Sequence, residues 1–118
     1  MIELAERSDI LSLHAVANET TRGVVSREVL EKLPHGAIVV NTARGELLDT
    51  DALLDQLESG QLWGAALDTV EGEYRLDFPY RLWHSRLGHY ARTHDNLILT
   101  PHIGGYTVVS RPLRATRN

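Results

Sequence analysis

The chain has 118 residues, 42% hydrophobic and 24% charged, which suits one domain with a modest core and argues against disorder. Its formal net charge of -4 gives no electrostatic reason to expect nucleic acid as a partner. It has no cysteine, which excludes disulfides and thiolate metal sites, and no apolar run long enough to span a bilayer. The opening MIELAERSD lacks the apolar centre of a signal peptide, so a soluble, cytoplasmic protein is expected.

In chain order, IELAER (residues 2–7) reads as the last turns of a helix. DILSLH (9–14) is a short, nearly continuous apolar run and predicts a strand. SREVLEKL (26–33) predicts a helix with Ser26 as N-cap, stopped before Pro34, with His35 and Gly36 completing a turn. GAIVVNT (36–42) predicts a second strand. DTDALLDQLESG (49–60) predicts a helix that starts at Asp49, sets Leu53, Leu54 and Leu57 on one face, and stops at Gly60. LWGAALD (62–68) and NLILTP (96–101) predict two further strands. Runs of this kind, without polar alternation, suit strands covered on both faces, as in a parallel sheet. Residues 69–95 are too long for a plain loop in a compact domain, so they are functional, partly helical, or both. The stretch VVSRPLRATRN (108–118), with Pro112 and three arginines, reads as a frayed tail rather than a basic arm. Strands alternating with helices predict an α/β fold with a helix-covered parallel sheet.

In an open parallel sheet, ligands bind at the carboxyl ends of the strands. The polar residues of this sequence collect there. The first run ends at His14, the second in NTARGE (41–46), the third at Asp68 with Glu71 and Glu73 beyond it, and the fourth at Pro101-His102 before Gly104-Gly105. Each has a plainer reading: Arg44 as a solvated turn residue, Asp68 as a cap, Glu73 as surface, and His14 and His102 as structural. Their common placement on one edge is more informative than any one of them. A metal site is not expected, because His84, His89 and His94 recur every five residues and would point to different faces of a helix. The sequence contains no Walker motif, no GxSxG elbow and no Gly-x-Gly turn of its own.

Three segments, SDILSLHAVANETTRGVVS, LEKLPHGAIVVNTARGELLDTDALLDQLESGQLWGAALDTVEGE and DNLILTPHIGGYT, resemble the D-isomer-specific 2-hydroxyacid dehydrogenases, which include the phosphoglycerate dehydrogenases. The ordered set NTARGELLD, GAALD and TPHIGG carries the resemblance. It implies a partial Rossmann-type sheet, with residues 1–107 as the C-terminal portion of an NAD-binding domain and 108–118 as a non-family tail. It also implies NAD-dependent interconversion of a small 2-hydroxy acid and 2-oxo acid, with NADP left open. By the same resemblance, His102 is the general acid/base, Glu73 its carboxylate partner and Arg44 the substrate's carboxylate anchor. Asp68 orients the nicotinamide carboxamide. Thr42, Ala43, Arg44, His102, Gly104 and Gly105 neighbour the cofactor. Glu73 argues against the family's formate dehydrogenases, which carry glutamine there.

The resemblance has departures. The family's Gly-x-Gly-x-x-Gly turn is missing, Val16 stands where proline is usual, and the long helix expected after Thr107 is replaced by a tail. These leave two other expectations beside the oxidoreductase segment: a catalytically inert fragment, or a dinucleotide-sensing interaction module like the family's corepressors. A homodimer is allowed, and neither membrane nor nucleic acid is expected as a partner.

Overall fold

The computed structural model describes residues 1–106. The predicted tail at 108–118, with Thr107, lies outside the described residues. The remaining elements follow the expected alternation. Helix α1 (Ile2–Glu6) leads into β1 (Ile10–Leu13), α2 (Arg27–Glu31) and β2 (Ala37–Asn41). One 3-10 turn (Gly45–Leu47) precedes α3 (Thr50–Glu58) and β3 (Leu62–Leu67). The long connection is mostly helical, as α4 (Phe78–His84) and α5 (Arg86–Thr93), and delivers the chain to β4 (Leu97–Leu99).

The two helices predicted with caps have them. Ser26 Oγ accepts from Val29 N at the start of α2, and Asp49 Oδ1 accepts from Ala52 N at the start of α3. Each cap satisfies an amide that the helix leaves unpaired in its first turn. Asp49→Ala is expected to cost about 0.5–2 kcal/mol, read as a lowered denaturation midpoint with an unchanged slope. The face α3 presents inward is the predicted one, since Leu53, Leu54 and Leu57 are all buried.

The four strands are parallel, in the order β1-β2-β3-β4. Their register sets Leu11, Val39, Ala65 and Leu97 in one row, and Leu13, Asn41, Leu67 and Leu99 in the next. Both rows face the core beneath α2, α3 and α5. The opposite face differs from the expectation of cover on both sides. There Ser12, Val40, Ala66 and Ile98 align across the sheet, and Ile10, Trp63 and Ile98 are exposed. The physical reason is the placement of the helices, which among the described residues bury only one face.

Arg86 draws α5 onto α3 by pairing with Asp55 at 2.6 Å and Glu58 at 3.0 Å, while Arg27 of α2 reaches Asp55 at 2.7 Å. These pairs are solvent-facing, so they fix register more than they add stability. The three histidines weighed for a metal lie on the two helices of the long connection and just beyond them. His84 ends α4, His89 lies within α5 and His94 stacks on Tyr90 with ring centroids 3.8 Å apart. Among the described residues no group of three or more His, Asp or Glu side chains could hold a metal ion. No helix among them is long and apolar enough to cross a membrane.

Candidate active site

Parallel strands in sequential order must all end on the same edge. That edge carries His14, the turn after Asn41, the segment from Asp68 to Glu73, and Thr100 to Gly105. The sequence reading placed these residues together, and the topology does so.

Asn41, fully buried at the end of β2, shapes the first functional turn. Its Nδ2 donates to Arg44 O at 2.9 Å and its Oδ1 accepts from Ala43 N at 3.0 Å. This folds the chain so that Arg44 emerges exposed, with its Nη1 donating to Ala43 O at 2.7 Å. Among the described residues no carboxylate forms an ion pair with Arg44, so its guanidinium remains available to an anion. Thr42, Ala43 and Arg44 line a cavity of about 440 Å³ together with His14 and Val16. His14 itself bonds Ser12 Oγ at 2.8 Å, the plainer role the sequence allowed it.

Gly45 follows immediately and is buried against the next functional loop. A Cβ there would lie 2.0 Å from Glu71 N and 2.2 Å from Val70 C. Only glycine permits this approach, which seats the Arg44 turn directly on the loop that carries Glu73.

Glu73 and His102, 29 residues apart, meet in an ion-pair geometry. Glu73 Oε1 lies 2.8 Å from His102 Nδ1, and the Glu73 side chain is 12% exposed against 33% for His102. Val70 N donates to the other carboxylate oxygen at 3.4 Å, so both oxygens are directed. A carboxylate at Nδ1 holds the tautomer that keeps a proton there and leaves Nε2 as the reactive edge. The pair borders a largely apolar cavity of about 330 Å³ lined by Val70, Tyr74, Phe78, Leu82, Leu99 and Pro101. Arg44 lines a separate cavity rather than this one.

The turn that presents His102 has its left-handed residue at His102 itself, at φ +54, and Gly104 and Gly105 are not among the positive-φ glycines. A Cβ at Gly104 would approach Asp68 Oδ2 to 3.0 Å, close enough to press on that carboxylate. Among the described residues a Cβ at Gly105 would meet nothing within 4 Å. Asp68, 8% exposed, accepts from Thr100 Oγ1 at 2.6 Å, from Ile103 N at 2.9 Å and from Gly104 N at 2.9 Å. Burial pushes its pKa up, but the bonds from Thr100, Ile103 and Gly104 outweigh this and leave it below the ordinary carboxylate value.

Sequence reasoning missed the structural parts of Asn41 and Thr100. The signal for Asn41 was a polar residue closing an otherwise apolar run; for Thr100 there was none, because its partner lies 32 residues away.

Residues 1–104 match the family model described as "D-isomer specific 2-hydroxyacid dehydrogenase, NAD binding domain", and the chain belongs to that family. It is 38% identical over 108 residues to the D-specific alpha-keto acid dehydrogenase of Enterococcus faecium, a match covering 89% of this chain and 34% of that protein. The D-lactate dehydrogenase of Aquifex aeolicus, solved with NAD and lactic acid, superposes with a TM-score of 0.78 at 32% identity, over 92% of this chain and 34% of that one. A family member from Xanthobacter autotrophicus, solved with NADPH and MES, gives a TM-score of 0.71 at 31% identity, over 86% of this chain and 30% of that one. The chain thus spans about a third of the length of the relatives it matches.

Proposed function

We propose that this chain is the catalytic side of an NAD-dependent oxidoreductase that interconverts a 2-hydroxy acid and its 2-oxo acid. The observation that carries the reading is the Glu73–His102 pair at 2.8 Å, on the edge that also exposes Arg44, which forms no ion pair among the described residues. The nicotinamide cofactor, when bound, supplies or accepts the hydride. The residues present fit its nicotinamide end: Thr42 and Ala43 border an open cavity beside Arg44, and Gly104 and Gly105 keep side chains off the backbone next to His102. NAD is the expected form, and the NADPH-bound relative keeps NADP open.

The protein's own part is positioning and proton transfer. Arg44 grips the substrate's carboxylate through two parallel N–H donors, which fixes the orientation of the adjacent carbonyl. His102 delivers its Nε2 proton to the carbonyl oxygen during reduction and removes the hydroxyl proton during oxidation. Glu73 keeps the ring aimed, because its own two oxygens are held by His102 and Val70 N. The largely apolar cavity beside the pair leaves room for a ligand against the imidazole.

The test is a chimera in which this chain replaces the matching segment of the Aquifex aeolicus D-lactate dehydrogenase. Loss of NADH absorbance with a panel of 2-oxo acids, and formation of the D-hydroxy product, is the expected result. A chimera that folds and binds NADH without turnover on any 2-oxo acid overturns the proposal, and favours the inert or dinucleotide-sensing alternative.

A further inference from the structure

Asp68 stands at the end of β3, nearly buried, and its carboxylate reaches across to the chain leaving β4. The three groups it accepts from flank His102 on both sides: the Thr100 hydroxyl before it, and the Ile103 and Gly104 amides after it. Between them the chain makes a tight turn about Pro101, closed by His102 N donating to Thr100 O at 3.0 Å, and His102 takes a left-handed backbone. Such a backbone is uncommon for a non-glycine residue, although histidine adopts it more readily than most.

We infer that Asp68 is a positioning residue for His102, its carboxylate clamping residues 100, 103 and 104 so that the imidazole is held at one place and one angle. The inference rests on the reading of His102 as the acid/base. It also changes what Asp68 is for. Three of the roughly four acceptor positions of a carboxylate are taken by the protein's own chain, so its first duty is to the turn rather than to a carboxamide. Bonds to a charged acceptor are about twice as strong as neutral ones, and these three converge on one group. The close approach of Gly104 to Oδ2 belongs to the same device, because any side chain at that position would press on the clamp. The lowered pKa agrees with a carboxylate that stays ionised while nearly buried.

The clamp and the histidine it serves come from different elements. Asp68 follows β3 by one residue, and His102 lies beyond β4, so the packing of β3 on β4 sets the height at which the ring stands. Glu73 then fixes rotation about the side chain through Nδ1, while Asp68 fixes the backbone from which the side chain departs. The two acids therefore divide the work.

Asp68→Asn and Thr100→Val test this in two settings. In the 118-residue chain, Asp68→Asn keeps one acceptor oxygen and sets an NH2 in place of the other, so whichever of the Ile103 and Gly104 amide protons faces the NH2 loses its hydrogen-exchange protection and the His102 backbone coupling leaves its left-handed value. In the chimera, kcat falls by up to about 10²-fold, as for a misplaced catalytic group, while Kd for NADH stays nearly constant. Thr100→Val removes one arm only and gives a smaller change in the same direction, which keeps the test alive if Asp68→Asn fails to fold. Retained protection at Ile103 and Gly104 with unchanged kcat, and weakened NADH binding instead, overturns the clamp and returns Asp68 to the cofactor. If His102→Ala keeps turnover in the same chimera, the acid/base reading fails, and the exchange data still decide whether the clamp exists.

Discussion

His102→Ala, carried in the chimera, is expected to lower kcat by about 10²–10⁴-fold, the usual contribution of a positioned acid/base, with NADH affinity nearly unchanged. Nδ1 is committed to Glu73 at 2.8 Å, which leaves Nε2 as the one ring nitrogen free to exchange a proton with a ligand. Tyr74 Oη, 3.4 Å from the same Nδ1, stands on the committed side and offers no substitute at the reactive edge. Alanine at a left-handed position carries its own conformational cost of about 1–2 kcal/mol, which would confuse a loss of activity with a disturbed turn. His102→Asn separates the two, because asparagine is enriched at positive φ and keeps the turn while lacking an imidazole. Both variants should lose turnover alike, and only His102→Ala should lower the melting temperature appreciably. Wild-type turnover in His102→Asn would refute the role assigned to this residue.

The parts of the fold that the sequence made legible are those governed by local rules. Four apolar runs became the four strands, and Ser26 and Asp49 cap the helices they were read to cap, because a cap acts within three residues of itself. The site was legible as an edge for a related reason: parallel strands in sequential order leave no choice about where their carboxyl ends gather. The long connection was harder. Its two helices are divided at Ser85, which ends α4 and caps α5 through Gly88 N at 3.0 Å. Gly88 is there because a Cβ would lie 1.9 Å from Leu82 O. That constraint is a close approach between two helices and leaves no periodic trace in the sequence.

The open face of the sheet was misread for a different reason. Strands such as ILSL and AIVVN are apolar on both sides, and hydrophobic pattern reports what a strand is built to bury. It does not say which segment does the burying. Among the described residues the helices occupy one side, so Ile10, Trp63 and Ile98 remain exposed on the other. The left-handed backbone at His102 was not legible at all, because the carboxylate that holds the residues around it lies 32 to 36 positions away. Contacts at that separation are tertiary facts. A single sequence read locally cannot supply them.

Gly45→Ala carries the second large effect, and it couples stability to the site. The added methyl would lie 2.0 Å from Glu71 N, 2.2 Å from Val70 C and 2.7 Å from Val70 Cα, all backbone atoms that cannot swing aside as a side-chain tip can. One of the two loops must retreat by about 1 Å or more to restore van der Waals contact. The Arg44 turn resists, since Asn41 is fully buried and bonds it at two points. The loop of Val70 to Glu73 therefore yields, and it carries the carboxylate that aims His102. Overpacking of this kind costs about 1–3 kcal/mol and sometimes more, and with immovable backbone as the obstacle the upper end is expected. At about 4–8 °C per kcal/mol for a domain near this size, the melting temperature should fall by more than about 10 °C. Gly105→Ala is the matched control, because among the described residues a methyl there meets nothing within 4 Å, and its stability should lie within about 0.5 kcal/mol of the parent. In the chimera, any folded fraction of Gly45→Ala should also lose kcat, since Glu73 can no longer reach Nδ1. Equal melting temperatures for the two glycine variants would mean that the Arg44 turn and the Glu73 loop are not in the contact described, and the coupling between anchor and acid/base would fall with it.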